Sequence, residues 1–502
     1  MKLLKSAIAL SFLSVCSLQN SALALSVTVS QAGSLSAQDI DVATTELSIN
    51  GEINAVDLFY IGNSLTKLSE LDLSNASIVA YSDTRLNSGA SSYAANYIPP
   101  MSLAALPLTS VKLPTAGNIT IGECAFAGTA LTSLTLDRNV TAVGAGAFQN
   151  CASLTTVTLS GQTLSTGVFA DCASLTTVDL AGAVEVPAAT FARCSALTSV
   201  NGADKVSTIG ERAFLACSAL KSYPFSKELT EIGDRAFERS GLTEVELSRS
   251  TALASVGNQA FLGSPNLEKV TLPDGLSAIG TGAFFECPSL TVMNVPSAMT
   301  EVSDHLFKGD AVLATNNLIG SQVTSIGEYA LKDASSVTKL TFPKGLEYIG
   351  DGAMEGMTGL TEINAVALNS VPELGNDVWA GVEQQKVKLA VEKDMFTDFY
   401  SAEQWKEFTI DAQTDSNDLV LDQDIASVKV NGRFEGTELV VVANGALLSE
   451  VRLYNVAGSQ LSTVRADSES VRIDTSAYSD NVYIVNVVLN NHMTATVKIA
   501  RR

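Results

Sequence analysis

The sequence predicts a mainly β protein: a solenoid of about twelve coils of 21–25 residues, followed by a small C-terminal β-sandwich. The first observation behind this is a recurring phrase. Thr208-Ile209-Gly210-Glu211-Arg212-Ala213-Phe214 returns as Glu231-Ile232-Gly233-Asp234-Arg235-Ala236-Phe237, then at residues 255–261 and 278–284. Its closing aromatic stands at Phe126, Phe148, Phe169, Phe191, Phe214, Phe237, Phe261, Phe284 and Phe307, with Leu331, Met354 and Trp379 continuing the slot. Spacing of this kind marks stacked coils that bury a continuous core against one another. A second stretch per coil reads Leu-x-x-Φ-x-Φ, as in Leu131 to Leu136, Leu154 to Leu159 and Leu242 to Leu247. The last observation is a change of grammar after residue 425, to longer alternating strands separated by Gly, Asn, Asp and Ser turns.

Composition bounds the function. A hydrophobic fraction of 46% supplies ample core, and a formal charge of −22 leaves nothing to neutralise a nucleic-acid backbone. Lys2 and Lys5, the apolar run from Ala7 to Leu18, and Ala22-Leu23-Ala24 read as a secretory signal over residues 1–24. A lipoprotein signal at Cys16 is disfavoured by the bulky Val15 before it. No other run reaches the ~20 apolar residues of a transmembrane helix.

Residues 25–107 hold a weakly patterned leader (25–45), an alternating stretch from Glu46 to Tyr60, a capping repeat with Leu68, Leu71 and Leu73, and an inserted loop over 82–100. The regular array runs over 108–410. Both stretches of each coil suit short strands or tight turns, with Ile209 and Phe214 inward, Glu211 and Arg212 in water, and Gly210 supplying the positive φ of a sharp bend. Eleven steps from Phe126 to Trp379 give a stack of about 50–55 Å. Cys151, Cys172, Cys194, Cys217 and Cys287 each follow a core Phe by three residues, and Cys124 precedes one by two. Their side chains should run parallel along the stack as small buried groups with free thiols, without the paired spacing of a zinc site. Residues 411–425 read as an acidic linker, and 426–502 as the sandwich, with strands at 426–430, 438–443, 450–456, 471–474, 482–489 and 494–500.

The sentence Ile279-Gly-Thr-Gly-Ala-Phe-Phe-Glu-Cys287-Pro-Ser-Leu290 resembles the BspA-type leucine-rich repeat surface proteins, and the resemblance covers roughly residues 45–410. It extends to Val387–Val391 and to the segment around Trp405, which looks like the cap that closes such arrays. The resemblance implies a leucine-rich repeat solenoid that attaches to host matrix proteins such as fibronectin or fibrinogen, or to other bacteria. The tail resembles the C-terminal sorting domain of the Bacteroidetes type IX secretion system, through Val451-Arg-Leu-Tyr454-Asn455, Gly458, Val482-Tyr483-Ile-Val485 and Val497-Lys498-Ile499. That family's opening Pro-Asn-Pro is absent, and Asp480-Asn481 stands where it has Gly. The tail resemblance implies passage across the outer membrane by the type IX machinery and removal of the tail on arrival; a generic adhesive sandwich is the other reading.

Catalytic chemistry finds no foothold. The two histidines, His305 and His492, sit without a nucleophile in a suggestive setting, and carboxylates such as Glu211, Asp234, Glu244 and Glu246 occupy variable outward slots. Phosphate-binding and calcium-repeat motifs are missing. No enzyme, cofactor or metal is expected. The positive feature is the outward strand face, carrying Thr132, Thr135, Thr155, Thr156, Thr158, Thr176, Thr177 and Asp179, then Thr243, Glu244, Glu246, Lys269, Thr338 and Lys339. Stacking turns these into an extended hydroxyl-rich surface, acidic in places, of the kind solenoids use to bind partners; threonine is also simply a good strand residue. The expected function is an exported, non-enzymatic adhesin binding an extracellular or cell-surface protein, with a glycan-binding surface protein as the alternative.

Overall fold

The structure is a computed structural model that describes residues 23–83, 92–310, 312–313, 318–413, 429–444, 447–455, 459–479, 482–489 and 494–500. The expected signal segment up to residue 22, the middle of the inserted loop (84–91), most of the linker (414–425), Gly458 and His492 lie outside the described residues. The chain forms two units, one of residues 1–390 and 397–410, the other of 391–396 and 411–502.

The first unit is a solenoid of parallel strands. One ladder runs Ala24–Val29, Glu46–Ile53, Glu70–Ile78 and Ser110–Lys112; further ladders on the same strand of each coil join Ser133–Thr135 to Ser199–Asn201, Glu244–Glu246 to Val292–Met293, and Lys339–Thr341 to Lys388–Glu392. The Ile-Gly stretches make a second line of parallel strands, in three sheets spanning Tyr97–Ile98 to Thr163–Leu164, Glu185–Val186 to Ala278–Ile279, and Glu301–Val302 to Glu373–Leu374. Side chains alternate inward and outward along each strand, so Val157, Val178 and Val200 are buried while Thr156 and Thr158 face out.

The closing aromatics form one column through the core. Phe126 and Phe148 stack with centroids 5.3 Å apart, and the spacing stays within 5.2–5.6 Å down to Phe284. Each ring is fully buried, worth about 1.5–3 kcal/mol by transfer alone. At the far end Trp405 covers Phe342 and Trp379, at 6.1 and 5.5 Å, and donates its Nε1–H to Pro372 O. It is buried, as a cap requires.

The glycine of the phrase acts otherwise than expected. Gly210 is not left-handed; the positive φ belongs to Arg212, two residues before the phenylalanine, and recurs there at Ala189, Arg235, Gln259, His305, Tyr329 and Asp377. What the glycine slot demands is close approach. A Cβ on Gly210 would stand 2.6 Å from Ala188 N, and one on Gly257 2.5 Å from Asp234 N, both on the neighbouring coil. Backbone fills the space a side chain would need.

A second column lies three residues beyond the aromatics. Cys151, Cys172, Cys194, Cys217 and Cys287 are buried free thiols. Each Sγ donates to the carbonyl of the phenylalanine one coil back, as from Cys194 to Phe169 O at 3.2 Å and from Cys287 to Phe261 O at 3.3 Å. Ser264 makes the same bond with its hydroxyl. In these coils the slot holds small buried donors, whereas Ala334 and Met357 fill it further along the stack. Burial pushes the Cys217 and Cys287 thiols well above the usual thiol range.

The N-terminal expectations need correction. Residues 25–45 are not a plain leader, because Ala24–Val29 pairs in parallel with Glu46–Ile53 as the first strand of the ladder. The alternation from Glu46 to Tyr60 splits into a strand and the helix Ala55–Ser64. Asn54 starts that helix, its Oδ1 accepting from Val56 N, while the buried Asp57 accepts from Asn54 N, Gly33 N and Leu35 N. The inserted segment ends earlier than residue 100: Tyr97–Ile98 already belongs to the second sheet, and Leu103 fills the aromatic slot. Its two prolines, Pro99 and Pro100, stand in the coil bend.

The second unit is a sandwich of two antiparallel sheets, Lys429–Glu435, Glu438–Asn444 and Ser470–Asp474 in one, and Gln460–Ser468, Leu448–Asn455, Val482–Leu489 and Thr494–Ala500 in the other. Leu439, Val441, Leu453, Ile473, Tyr483 and Val485 share its core. The strand Gln460–Ser468 is missing from the sequence reading because none of its side chains is fully buried, which blurs the alternation. The expected linker start at residue 411 moves as well, since Thr409–Gln413 is a strand.

These two slots predict opposite effects for one methyl group. Gly210→Ala is expected to cost about 1–3 kcal/mol through overpacking, and Ala189→Gly, which relieves a left-handed alanine, to gain about 0.5–1 kcal/mol. The thermal midpoints of the two variants check both signs.

Candidate functional site

The outward face of the first strand in each coil is built in exact register. Ser133, Thr156, Thr177 and Ser199 form one row, and Thr135, Thr158, Asp179 and Asn201 the next. The residues just before these strands form a third row with a different job. Thr132, Thr155, Thr176 and Thr198 donate their hydroxyls to Thr109 O, Thr132 O, Thr155 O and Thr176 O, one coil back, at 2.8–3.4 Å. Thr243 does the same to Lys221 O, and Thr361 to Thr338 O. Thr132, Thr155, Thr176 and Thr243 therefore tie coils together, although they are exposed.

The remaining candidates divide by charge. Glu244 and Lys269, register partners on adjacent strands, form an ion pair at 2.6 Å, and Lys339 pairs with Glu362 at 2.7 Å. Glu246 accepts from Ser248 N at 3.0 Å, and the Ser248 bond is the main cause that holds its carboxyl below the usual range. In those coils these charged side chains are satisfied within the stack. In the earlier coils Asp179 caps Ala181 N at 3.0 Å, while Thr135, Thr156, Thr158 and Thr177 make no side-chain hydrogen bond among the described residues. Outward-facing, uncharged and unpaired, these four stand together with Ser133 in the earlier coils, and Thr341 is a later position of the same kind.

The ladder breaks at the head of this patch. Ser110–Lys112 and Ser133–Thr135 lie on successive coils yet belong to separate sheets, and a cavity of about 470 Å³ opens there, lined by Ser74, Lys112, Thr115, Thr135, Asp137 and Asn139. Through Ser110 and Lys112 it meets a shallower depression of about 350 Å³ over Leu25, Ser26, Glu46, Ser48, Glu70 and Asp72. Lys112 Nζ sits 2.9 Å from Asp72, and that bond draws the Lys112 ammonium above its ordinary value. Sequence reasoning missed this end of the face because it read residues 25–45 as a leader. The alternation Leu25-Ser-Val-Thr-Val29 is the signal that could have found it.

The other chemistry-bearing residues have structural settings. His305 stacks on Tyr329 at 5.4 Å and on Phe285 at 6.3 Å, and burial, helped by Lys308, lowers its pKa. Glu211 pairs with Arg212, and Asp234 Oδ1 accepts from Asn258 N at 2.7 Å on the next coil. No group of His, Cys, Asp and Glu suited to a metal ion occurs among the described residues. In the sandwich Tyr483 is a core residue whose hydroxyl donates to Tyr478 O at 3.3 Å. Tyr454 is half-buried, Asn455 Oδ1 accepts from Ser459 N at 2.8 Å, and Lys498 lies on the last strand.

Parallel coils, a buried aromatic column and a continuous outward strand face define a leucine-rich repeat solenoid, a class whose working surface is its strand face. The model of the BspA-type leucine-rich repeat region matches residues 96–186, 184–314 and 254–386, more than half of the chain, and the protein belongs to that family. No curated protein matches the sequence. A leucine-rich repeat protein from Bacteroides ovatus is similar in structure, with a TM-score of 0.52 and 21% identity over 74% of this chain and 84% of that one. A leucine-rich cell surface protein from Faecalibacterium prausnitzii gives a TM-score of 0.28 with 20% identity over 56% and 85% of the two chains. The pneumococcal vaccine antigen PcpA gives 0.37 with 13% identity over 74% and 84%. Among the described residues no helix is long and apolar enough to cross a membrane.

The two kinds of threonine predict different costs. Thr155→Val, which removes a coil-to-coil hydrogen bond, should lose about 1 kcal/mol. Thr156→Val, one residue on, should stay within about 0.5 kcal/mol of the parent. Thermal denaturation of the two variants measures the contrast.

Proposed function

We propose that this protein is an exported, non-enzymatic cell-surface adhesin that binds an extracellular protein through the strand face of coils 133–201. The observation that carries the reading is the division of that face. Its later coils neutralise their own charges across neighbouring strands, whereas Thr135, Thr156, Thr158 and Thr177 present hydroxyls with no internal partner beside a cleft. A partner that supplies hydrogen bonds to this patch displaces water without breaking any bond of the scaffold. Family membership supports the same reading, and host matrix proteins or the surfaces of other bacteria are the partners we infer. The glycan alternative has less support, because no aromatic side chain stands in the outward rows from Ser133 to Asn201. The C-terminal sandwich is read as the type IX sorting domain. Its resemblance residues Val451, Leu453 and Tyr483 build its core, and Tyr454 is half-buried.

Immobilised fibronectin and fibrinogen, with a glycan panel alongside, test the binding. The parent protein should bind protein saturably, and the Thr156→Lys/Thr158→Lys/Thr177→Lys variant at least tenfold more weakly. Thr163→Lys, an exposed position on the other sheet, should leave binding unchanged. Glycan binding with no protein binding sinks the adhesin reading. For the tail, protein recovered from the native cell surface should end near residue 425; an intact C-terminus there contradicts the sorting role.

A further inference from the structure

The donor column beyond the phenylalanines contains one residue that does not fit as an ion. Asp310 occupies the slot held elsewhere by Cys194, Cys217, Ser264 and Cys287, three residues after Phe307, and is fully buried. Its Oδ1 accepts the main-chain N–H of Cys287 at 2.8 Å. In most other coils that N–H closes back on its own phenylalanine, as Cys194 N does on Phe191 O and Ser264 N on Phe261 O. The diversion leaves Phe284 O without its usual turn donor.

Phe284 O also lacks its usual donor from the following coil. Phe169 O and Phe261 O receive the thiols of Cys194 and Cys287, and Phe237 O receives the hydroxyl of Ser264. The equivalent donor to Phe284 O is Asp310, and no hydrogen bond to that carbonyl occurs among the described residues. Asp310 Oδ2 is itself buried with no partner among the described residues. Two acceptor oxygens are thus orphaned at the same step of the stack, where the Phe284–Phe307 spacing also widens to 6.3 Å. A single proton shared between them would satisfy both.

We propose that Asp310 is held as the neutral carboxylic acid, its Oδ2–H donating to the carbonyl of Phe284, so that this proton latches the coils on either side and its loss loosens them. The surrounding charges do not stabilise an anion. Cys287, the titratable neighbour in direct contact, turns its thiol to Phe261 O. Lys308 lies over the rings of Phe285 and Tyr329, and Lys332 over Tyr329 and against Glu355. Glu286 and Asp333, on the coils before and after, are exposed. Burial accordingly raises the Asp310 carboxyl well above its ordinary value near 3.8, against the smaller opposing effect of the Cys287 N–H.

The sign follows. Below the ordinary value both folded and unfolded chains hold the proton, and the latch contributes fully. As pH rises past it the unfolded chain ionises first, so the contribution falls and is lost once pH passes the raised value of the folded state. The full-length protein and Asp310→Asn test this; the amide keeps the acceptor for Cys287 N and supplies a permanent donor to Phe284 O. Hydrogen exchange of the amides in 284–310 reads local opening at matched pH between 4 and 8. The ratio of opening constants, parent to variant, should climb by about tenfold per pH unit until the folded carboxyl ionises. The parent should also show the infrared carbonyl band of a protonated carboxyl at neutral pH, absent in Asp310→Asn. A ratio that stays flat with pH, or no such band in the parent, overturns the proposal.

Discussion

Everything in the solenoid depends on how closely one coil approaches the next. The aromatic rings repeat every 5.2–5.6 Å along the regular stack, while main-chain groups of neighbouring coils bond directly and leave no room for a Cβ at Gly210 or Gly257. That constraint explains the phrase better than a flexible bend does. The glycine is there so that backbone can meet backbone. The residue that takes the left-handed turn is two positions later and takes many identities, because a left-handed conformation costs a side chain only about a kcal/mol or two.

Close stacking also fixes which polar groups must be satisfied. Each turn offers carbonyls toward its neighbour, and the chain answers with hydroxyls and thiols of matching reach. Thr155 and Thr176 serve at the strand entry, Ser207 and Thr230 on the other sheet, and the cysteine column inside the core. The cysteines are therefore part of the hydrogen-bonding of the stack, and reactivity is a poor guide to why they are present. Where the same slot receives Asp310, the bonding pattern requires a proton the other donors carry as a matter of course.

The period, the inward residues and the capping tryptophan are legible in the sequence because each has a chemical signature that repeats. Phe214 and Ile209 can only face inward, and Trp405 follows the last coil. What escapes is whatever depends on identical residues in different roles. Thr155 and Thr156 are the same amino acid one position apart, one bonding a carbonyl and the other open to solvent, and only geometry separates them. The break between Ser110–Lys112 and Ser133–Thr135 has no residue signature, since it is an absence of pairing. The first strand at Ala24–Val29 was hidden by its short, exposed alternation, and the helix at Ala55–Ser64 by apolar spacing that also suits a strand.

The scaffold and its outward face are thus separable in principle: recurrent residues set the spacing, and the outward residues between them are free to vary. Deleting one whole coil, residues 233–256, joins Ile232 to Gly257 and preserves every columnar slot. The deletion protein should fold one coil shorter, with hydrogen-exchange protection unchanged in the coils that do not flank the junction. Loss of protection throughout the solenoid would contradict it.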